Sequence, residues 1–238
     1  MKKPVLIAFL TILILGMNSC GKDSTSNDNN YTVYKVPVDL ASKYIAMAFC
    51  NATTGINYHM EKAAGYARRG TLSLDSSFLL KKMDSSATVK YSYQVVYNYA
   101  VVTSSPLKTA FDYTADGSFS SSSIQSQDSQ LGDWNITIQD PSHFSLNGTG
   151  NDGGSQYAVL DKVFFQSRID YTLQNVLVDK MTAMISSGTA QIKISGAGPA
   201  GVQFNYSGTM TFSGNHAAVL VLDGSTYNLN LSTGGISK

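Results

Sequence analysis

Between Val202 and Ser213 the side chains alternate with a period of two. Val202, Phe204, Tyr206, Met210 and Phe212 fall on one side, and Gln203, Asn205, Ser207, Thr209, Thr211 and Ser213 on the other. Successive side chains of a strand point to opposite faces, so this stretch predicts a strand with one face buried and one wet. Similar strands are expected at Gln191–Ser195, His216–Leu222 and Tyr227–Leu231. The connections are short: Ser213-Gly214-Asn215, and Asp223-Gly224, whose preference for positive φ suits a tight hairpin. A parallel crossover needs about a dozen residues, so these strands must be antiparallel neighbours and the C-terminal third a meander.

Upstream, further strands are expected at Val89–Val102, Ala110–Tyr113, Trp134–Ile138, Phe144–Leu146 and within Tyr157–Val178, for eight to eleven in all. Ser118–Gln130 is rich in Ser and Gln with almost no apolar content and reads as a long exposed loop. From Asp39 to Arg69 the period is helical: Leu40, Tyr44, Met47, Ala48, then Ile56, Met60, Ala63, Ala64 and Ala67. Asp39 is the expected N-cap, Gly55 a break or kink and Gly70 the stop. The predicted fold is α+β and mainly β: an antiparallel meander sheet, open or partly rolled, packed with an N-terminal helical segment. A β-sandwich with a peripheral helix is the second reading.

The chain opens with Lys2 and Lys3, followed by an apolar run from Val5 to Gly16 broken only by Thr11. The run is too short for the ~20 residues of a bilayer span and has the pattern of a secretory signal. Met17-Asn18-Ser19-Cys20 follows at once and resembles the lipobox of bacterial lipoproteins. The resemblance implies a signal peptide at 1–19, lipidation of Cys20, and a membrane anchor at the outer membrane of the cell envelope. Lys22-Asp23 resembles part of a surface-export signal, so the domain is expected either at the cell surface or facing the periplasm. Gly21–Asn30 has no apolar residue, giving a tether over 20–36 and one domain over 37–238.

With 17 basic and 16 acidic residues, charge is balanced, which argues against a nucleic-acid footprint. With Cys20 acylated, Cys50 has no partner for an intrachain disulfide and reads as a small buried hydrophobe. Gly196-Ala197-Gly198-Pro199-Ala200-Gly201 spells G-x-G-x-x-G, but a strand follows at Val202 where dinucleotide binding needs a helix. Asn147–Gly154 reads as a Gly-rich loop with Asp152 as its sole acid, too few oxygens for a calcium loop. His59, His143 and His216 are isolated in sequence, and no motif specifies a catalytic residue, a metal or a cofactor.

Tyr91, Tyr93, Tyr97 and Tyr99 share one strand face with Val95 and Val101. Exposed, these rings would form a ladder for sugars or a partner protein; buried, they are core, which the accompanying valines favour. The expected function is that of a non-catalytic binding or scaffolding module with a glycan or envelope-protein partner. The alternatives are a carrier of a lipid or other hydrophobic ligand, and a hydrolase whose site assembles from scattered aspartates or histidines.

Overall fold

The structure, a computed structural model, describes residues 34–69, 75–85, 89–102 and 108–238. The leader, Cys20, the tether up to residue 33 and Gly70 lie outside the described residues. Two helices come first: α1 (Val38–Ala48) and α2 (Ile56–Arg69). Eleven strands follow: β1 (Asp75–Ser85), β2 (Val89–Val102), β3 (Lys108–Ser121), β4 (Ile124–Ile138), β5 (His143–Ala158), β6 (Val163–Asp179), β7 (Ile185–Ala197), β8 (Gln203–Gly214), β9 (Ala217–Leu222), β10 (Ser225–Asn230) and β11 (Gly235–Ser237). Each pairs antiparallel with the next, so sheet order is chain order, and the sheet is open, with β1 and β11 as its edges. This is the mainly β antiparallel meander with an N-terminal helical segment that the sequence predicts.

Gly55 separates the helices for a steric reason. A Cβ there would lie 2.3 Å from the Ala48 carbonyl oxygen, so only glycine lets the chain double back after α1. Asp39 is not the N-cap. That position belongs to Pro37, whose carbonyl accepts from the Leu40 and Ala41 N–H groups. The Asp39 carboxylate instead lies in the first turn and accepts from the Tyr227 hydroxyl and from Lys238.

Helix α1 is buried along almost its whole length, from Leu40 to Ala48. Tyr44 reaches Asp152 on β5, while Asp39 reaches Tyr227 on β10. Those strands would stand about 24 Å apart in a flat sheet, at ~4.8 Å per strand, against a helix about 10 Å across. The sheet therefore curls around α1, and a helix so enclosed is apolar on most sides. Helix α2 lays Ile56, Met60, Ala63 and Ala64 on the same face of the sheet. The core beneath it is aromatic: Tyr97, Phe111, Tyr113 and Trp134 are fully buried, with the Phe111 and Trp134 rings 5.8 Å apart.

Two stretches read as loops fold as strands. Ser118–Gln130 forms the end of β3 and the start of β4, joined by a turn in which the Ser121 hydroxyl accepts from the Ser123 and Ile124 N–H groups. Burial along β4 alternates without interruption up to Ile136. Its inward side chains include Ser126, Asp128 and Gln130, so polarity at buried positions hid the period of two. Asn147–Gly154 lies inside β5. Its inward glycines make room for rings: a Cβ on Gly150 would sit 2.1 Å from the Tyr171 hydroxyl oxygen. On β4, Gly132 likewise lies under Tyr113 and Trp134. Large rings over glycines fill the inner face to the density a core requires.

Smaller differences are local. Tyr157–Val178 is interrupted by the turn between β5 and β6, and β1 carries no sequence signal strong enough to name. His216 is not part of β9. With φ of 55° it forms, with Asn215 at 51°, the two-residue turn from β8 to β9. The Asp223-Gly224 hairpin is as expected, with φ of 47° and 80°.

Candidate functional site

The outer face of the sheet carries the residues that folding leaves available. In register across seven strands lie Gln94, Asp116, Ser129, Gly153, Arg168, Ser195 and Asn205, on β2 through β8. Six inter-strand steps give this row a length of about 29 Å. A second row, Asn98, Asp112, Asp133, Thr149, Thr172, Gln191 and Thr209, crosses the same strands. Because Gly153 has no side chain, the first row dips at its centre. There a hollow of about 1110 Å³ opens, lined by Ser92, Gln94, Asp116, Ser118, Gln127, Ser129 and Ser155 among others. Two further hollows, each near 700 Å³, continue it across β5 to β8.

One aromatic pair belongs to this face. Tyr157 and Phe164 are cross-strand partners on β5 and β6, with ring centroids 4.4 Å apart and Phe164 69% exposed. Gln127, Ser155 and Gln166 form the neighbouring outward row, so the rings stand one row beyond residues that line the hollows. An exposed ring beside short polar side chains offers both a stacking plane and hydrogen-bond partners. Sequence reasoning missed this pair, although two aromatics directly flanking a turn were its only trace.

The tyrosine row of β2 faces the other way. Tyr93, Tyr97 and Tyr99 are buried and Tyr91 half-buried, with Tyr66 of α2 stacked on Tyr99 at 5.6 Å. An exposed ladder is therefore not present; the row is core, because α2 lies over it. His59 is buried in the same layer, its Nδ1 2.8 Å from the Tyr97 hydroxyl and its ring stacked 4.1 Å from Tyr113.

Beneath α1 the inner face holds two carboxyl groups, Asp128 at 4% and Asp152 at 0% exposure. Tyr93 donates to Asp128 at 2.8 Å and Tyr44 to Asp152 at 3.0 Å. Burial raises the pKa of both, well above the ordinary value for Asp152, which the negative charge of Asp128 raises further; for Asp128 the added negative charge is that of Asp116. The same burial pushes the Tyr44 and Tyr93 hydroxyls well up. The pair is sealed from solvent, so no substrate reaches it for acid–base work.

Three residues distant in sequence meet at the turns below α2. His216 Nε2 is 2.9 Å from Glu61 Oε1, and His216 Nδ1 is 3.0 Å from the Ser232 hydroxyl. Asn51 donates to Glu61 Oε2 at 3.0 Å and is held by Asn57. The side chains of His216 and Glu61 are 22% and 17% exposed, and Ser232 is half-buried. Cys50 is buried nearby; its thiol donates to the Ser232 carbonyl at 3.3 Å, and burial raises its pKa, leaving it protonated and inert. His143 pairs with Asp140 three residues before it, in the turn after β4.

In Gly196–Gly201 the first two residues end β7 and Pro199–Gly201 forms a short 3-10 turn leading to β8, so no α-helix N-terminus is available for a pyrophosphate. Among the described residues no group of three or more His, Cys, Asp or Glu side chains is placed to hold a metal ion. Among the described residues no helix is long and apolar enough to cross a membrane. No family model, curated protein or solved structure matches this chain.

Proposed function

We propose that this chain is a cell-envelope lipoprotein, anchored through Cys20, whose outer sheet face is a non-catalytic binding or scaffolding surface for a glycan or another envelope protein. The observation that carries the reading is the continuous outer face, with its hollow at Gly153 and the Tyr157–Phe164 rings beside it. Ser, Thr, Asn and Gln offer both donors and acceptors, and the shorter of them lose little rotamer freedom when a ligand orders them. A neutral polyhydroxylated ligand would find hydrogen bonds along the rows and a ring face at their end.

A hydrophobic-ligand carrier would need an apolar groove open to its cargo, whereas here α1 and α2 occupy the apolar face of the sheet. The buried aspartates do not support a hydrolase, for the reason of access given above.

Two measurements test the proposal. Cys20→Ala should move the protein from the membrane to the soluble fraction, because the acyl chains supply the membrane affinity. A photo-crosslinking residue at Ser129, in the hollow, should give a discrete adduct in intact cells, and one at the exposed Met181 should not. Continued membrane association, or the same adducts from both positions, would count against it.

A further inference from the structure

We infer that Ser232, His216 and Glu61 form an acyl-transfer centre that accepts the acyl group of a small carboxylic ester, an activity separate from the binding face. The geometry fixes the protonation pattern. Two groups face His216 Nε2, Glu61 Oε1 at 2.9 Å and the Asn51 amide nitrogen at 3.2 Å; the amide already donates to Glu61 at 3.0 Å and the carboxylate can only accept, so the shorter contact places the proton on Nε2. Nδ1 then holds the lone pair, and the Ser232 hydroxyl 3.0 Å away must donate to it. Nucleophile, base and orienting carboxylate thus stand in the relation that activates a serine, which is recognised by geometry and not by chain order.

Three further observations set this cluster apart from an incidental surface network. Glu61 is the only glutamate in the chain, and it sits on the histidine. The turn that carries His216 needs positive φ at both residues, and glycine is favoured at its second position, where His216 stands at 55°. The fold thus bears backbone strain at the residue that would be the base, and such strain gathers at functional sites. Glu61 in turn is oriented by Asn51, which Asn57 holds, so the carboxylate is fixed from behind.

In the reaction, Ser232 Oγ bonds to the acyl carbon as its proton passes to His216 Nδ1. The bond from that carbon to the leaving oxygen breaks, and the proton departs with the alcohol. A water then loses a proton to the same nitrogen and attacks the acyl-serine. Ser232 is released with its proton restored, and the product is the free acid.

The test uses a fluorophosphonate probe and p-nitrophenyl acetate on the intact domain. The parent should take up one phosphonyl group, mapped by mass spectrometry to Ser232, and Ser232→Ala should take up none. His216→Gly replaces the strained residue with the one the turn prefers, so it should fold at least as well as the parent. It should nevertheless lose labelling about a hundredfold or more, with partial recovery on adding imidazole. Glu61→Gln tests the positioning residue: labelling should slow while the melting temperature holds, and Glu61→Asp, which keeps the carboxylate, should recover part of the rate. An unlabelled parent, a label that persists in Ser232→Ala, or full labelling in His216→Gly would overturn the assignment. Because the outer face plays no part, loss of this activity would leave the binding proposal standing.

Discussion

The two faces of the sheet are built from the same strands, residue by alternate residue, and they solve opposite problems. The inner face must fill the space under two helices. It does so with rings set over glycines, as Tyr171 sits at Gly150 and Trp134 at Gly132, and it takes in two carboxyl groups, Asp152 and Asp128, that accept from Tyr44 and Tyr93. The outer face has no such duty and carries short polar side chains, a hollow and one ring pair. A sheet whose stability comes from one face is free to vary the other, so the outer face is where recognition can reside.

The largest difference should appear on truncation. Trp134→Ala removes a fully buried ring and should cost about 3 to 5 kcal/mol in urea denaturation, whereas Thr211→Ala on the exposed face of β8 should stay within about 0.5 kcal/mol. Equal costs would mean that both faces are packed.

Adjacent glycines on β5 give a finer contrast. A Cβ on Gly154 would lie 2.1 Å from the Gln127 carbonyl oxygen, so Gly154→Ala should cost about 1 to 3 kcal/mol. A Cβ on Gly153 meets nothing closer than 3.5 Å, so Gly153→Ala should gain about 0.4 to 1 kcal/mol by restricting the unfolded chain. The same sign for both would erase the distinction between the faces at its sharpest point.

A smaller effect comes from pH. Asp128 and Asp152 hold their protons more tightly when folded than when unfolded. The folded chain therefore binds more protons between the ordinary carboxyl value of 3.8 and the raised one, and stability falls as pH rises through that window. Asp152→Asn removes the more strongly raised of the two titrations, so its urea midpoint should vary less between about pH 4 and about pH 8 than the parent's. A steeper slope in the variant would show that the pair is not buried as described.

How much of this the sequence disclosed depended on contrast between the faces. Val202–Ser213 alternates large apolar with polar residues, and β8 follows it within one residue at either end. The tyrosine row was readable as core because Val95 shares its side. Ser118–Gln130 was not readable, because Ser126, Asp128 and Gln130 are polar yet inward, and the hydroxyl partners that make this tolerable come from Tyr93 and Tyr44 elsewhere in the chain. In Asn147–Gly154 the missing side chains are replaced by rings from other strands, which no local period records. The Glu61–His216–Ser232 cluster spans 171 positions from Glu61 to Ser232 and was invisible for the same reason. Its one local sign was a histidine following Asn215 where a hairpin turn favours glycine.

The measurement that bears most directly on the account combines melting and capture in one variant. Gly153→Arg fills the floor of the outer hollow at a position where the backbone has room for a side chain. With a photo-crosslinking residue at Ser129, this variant should melt like the parent and lose the adduct formed in intact cells. An adduct that survives the filled hollow, or a domain that no longer folds, would contradict the claim that one face carries stability and the other recognition.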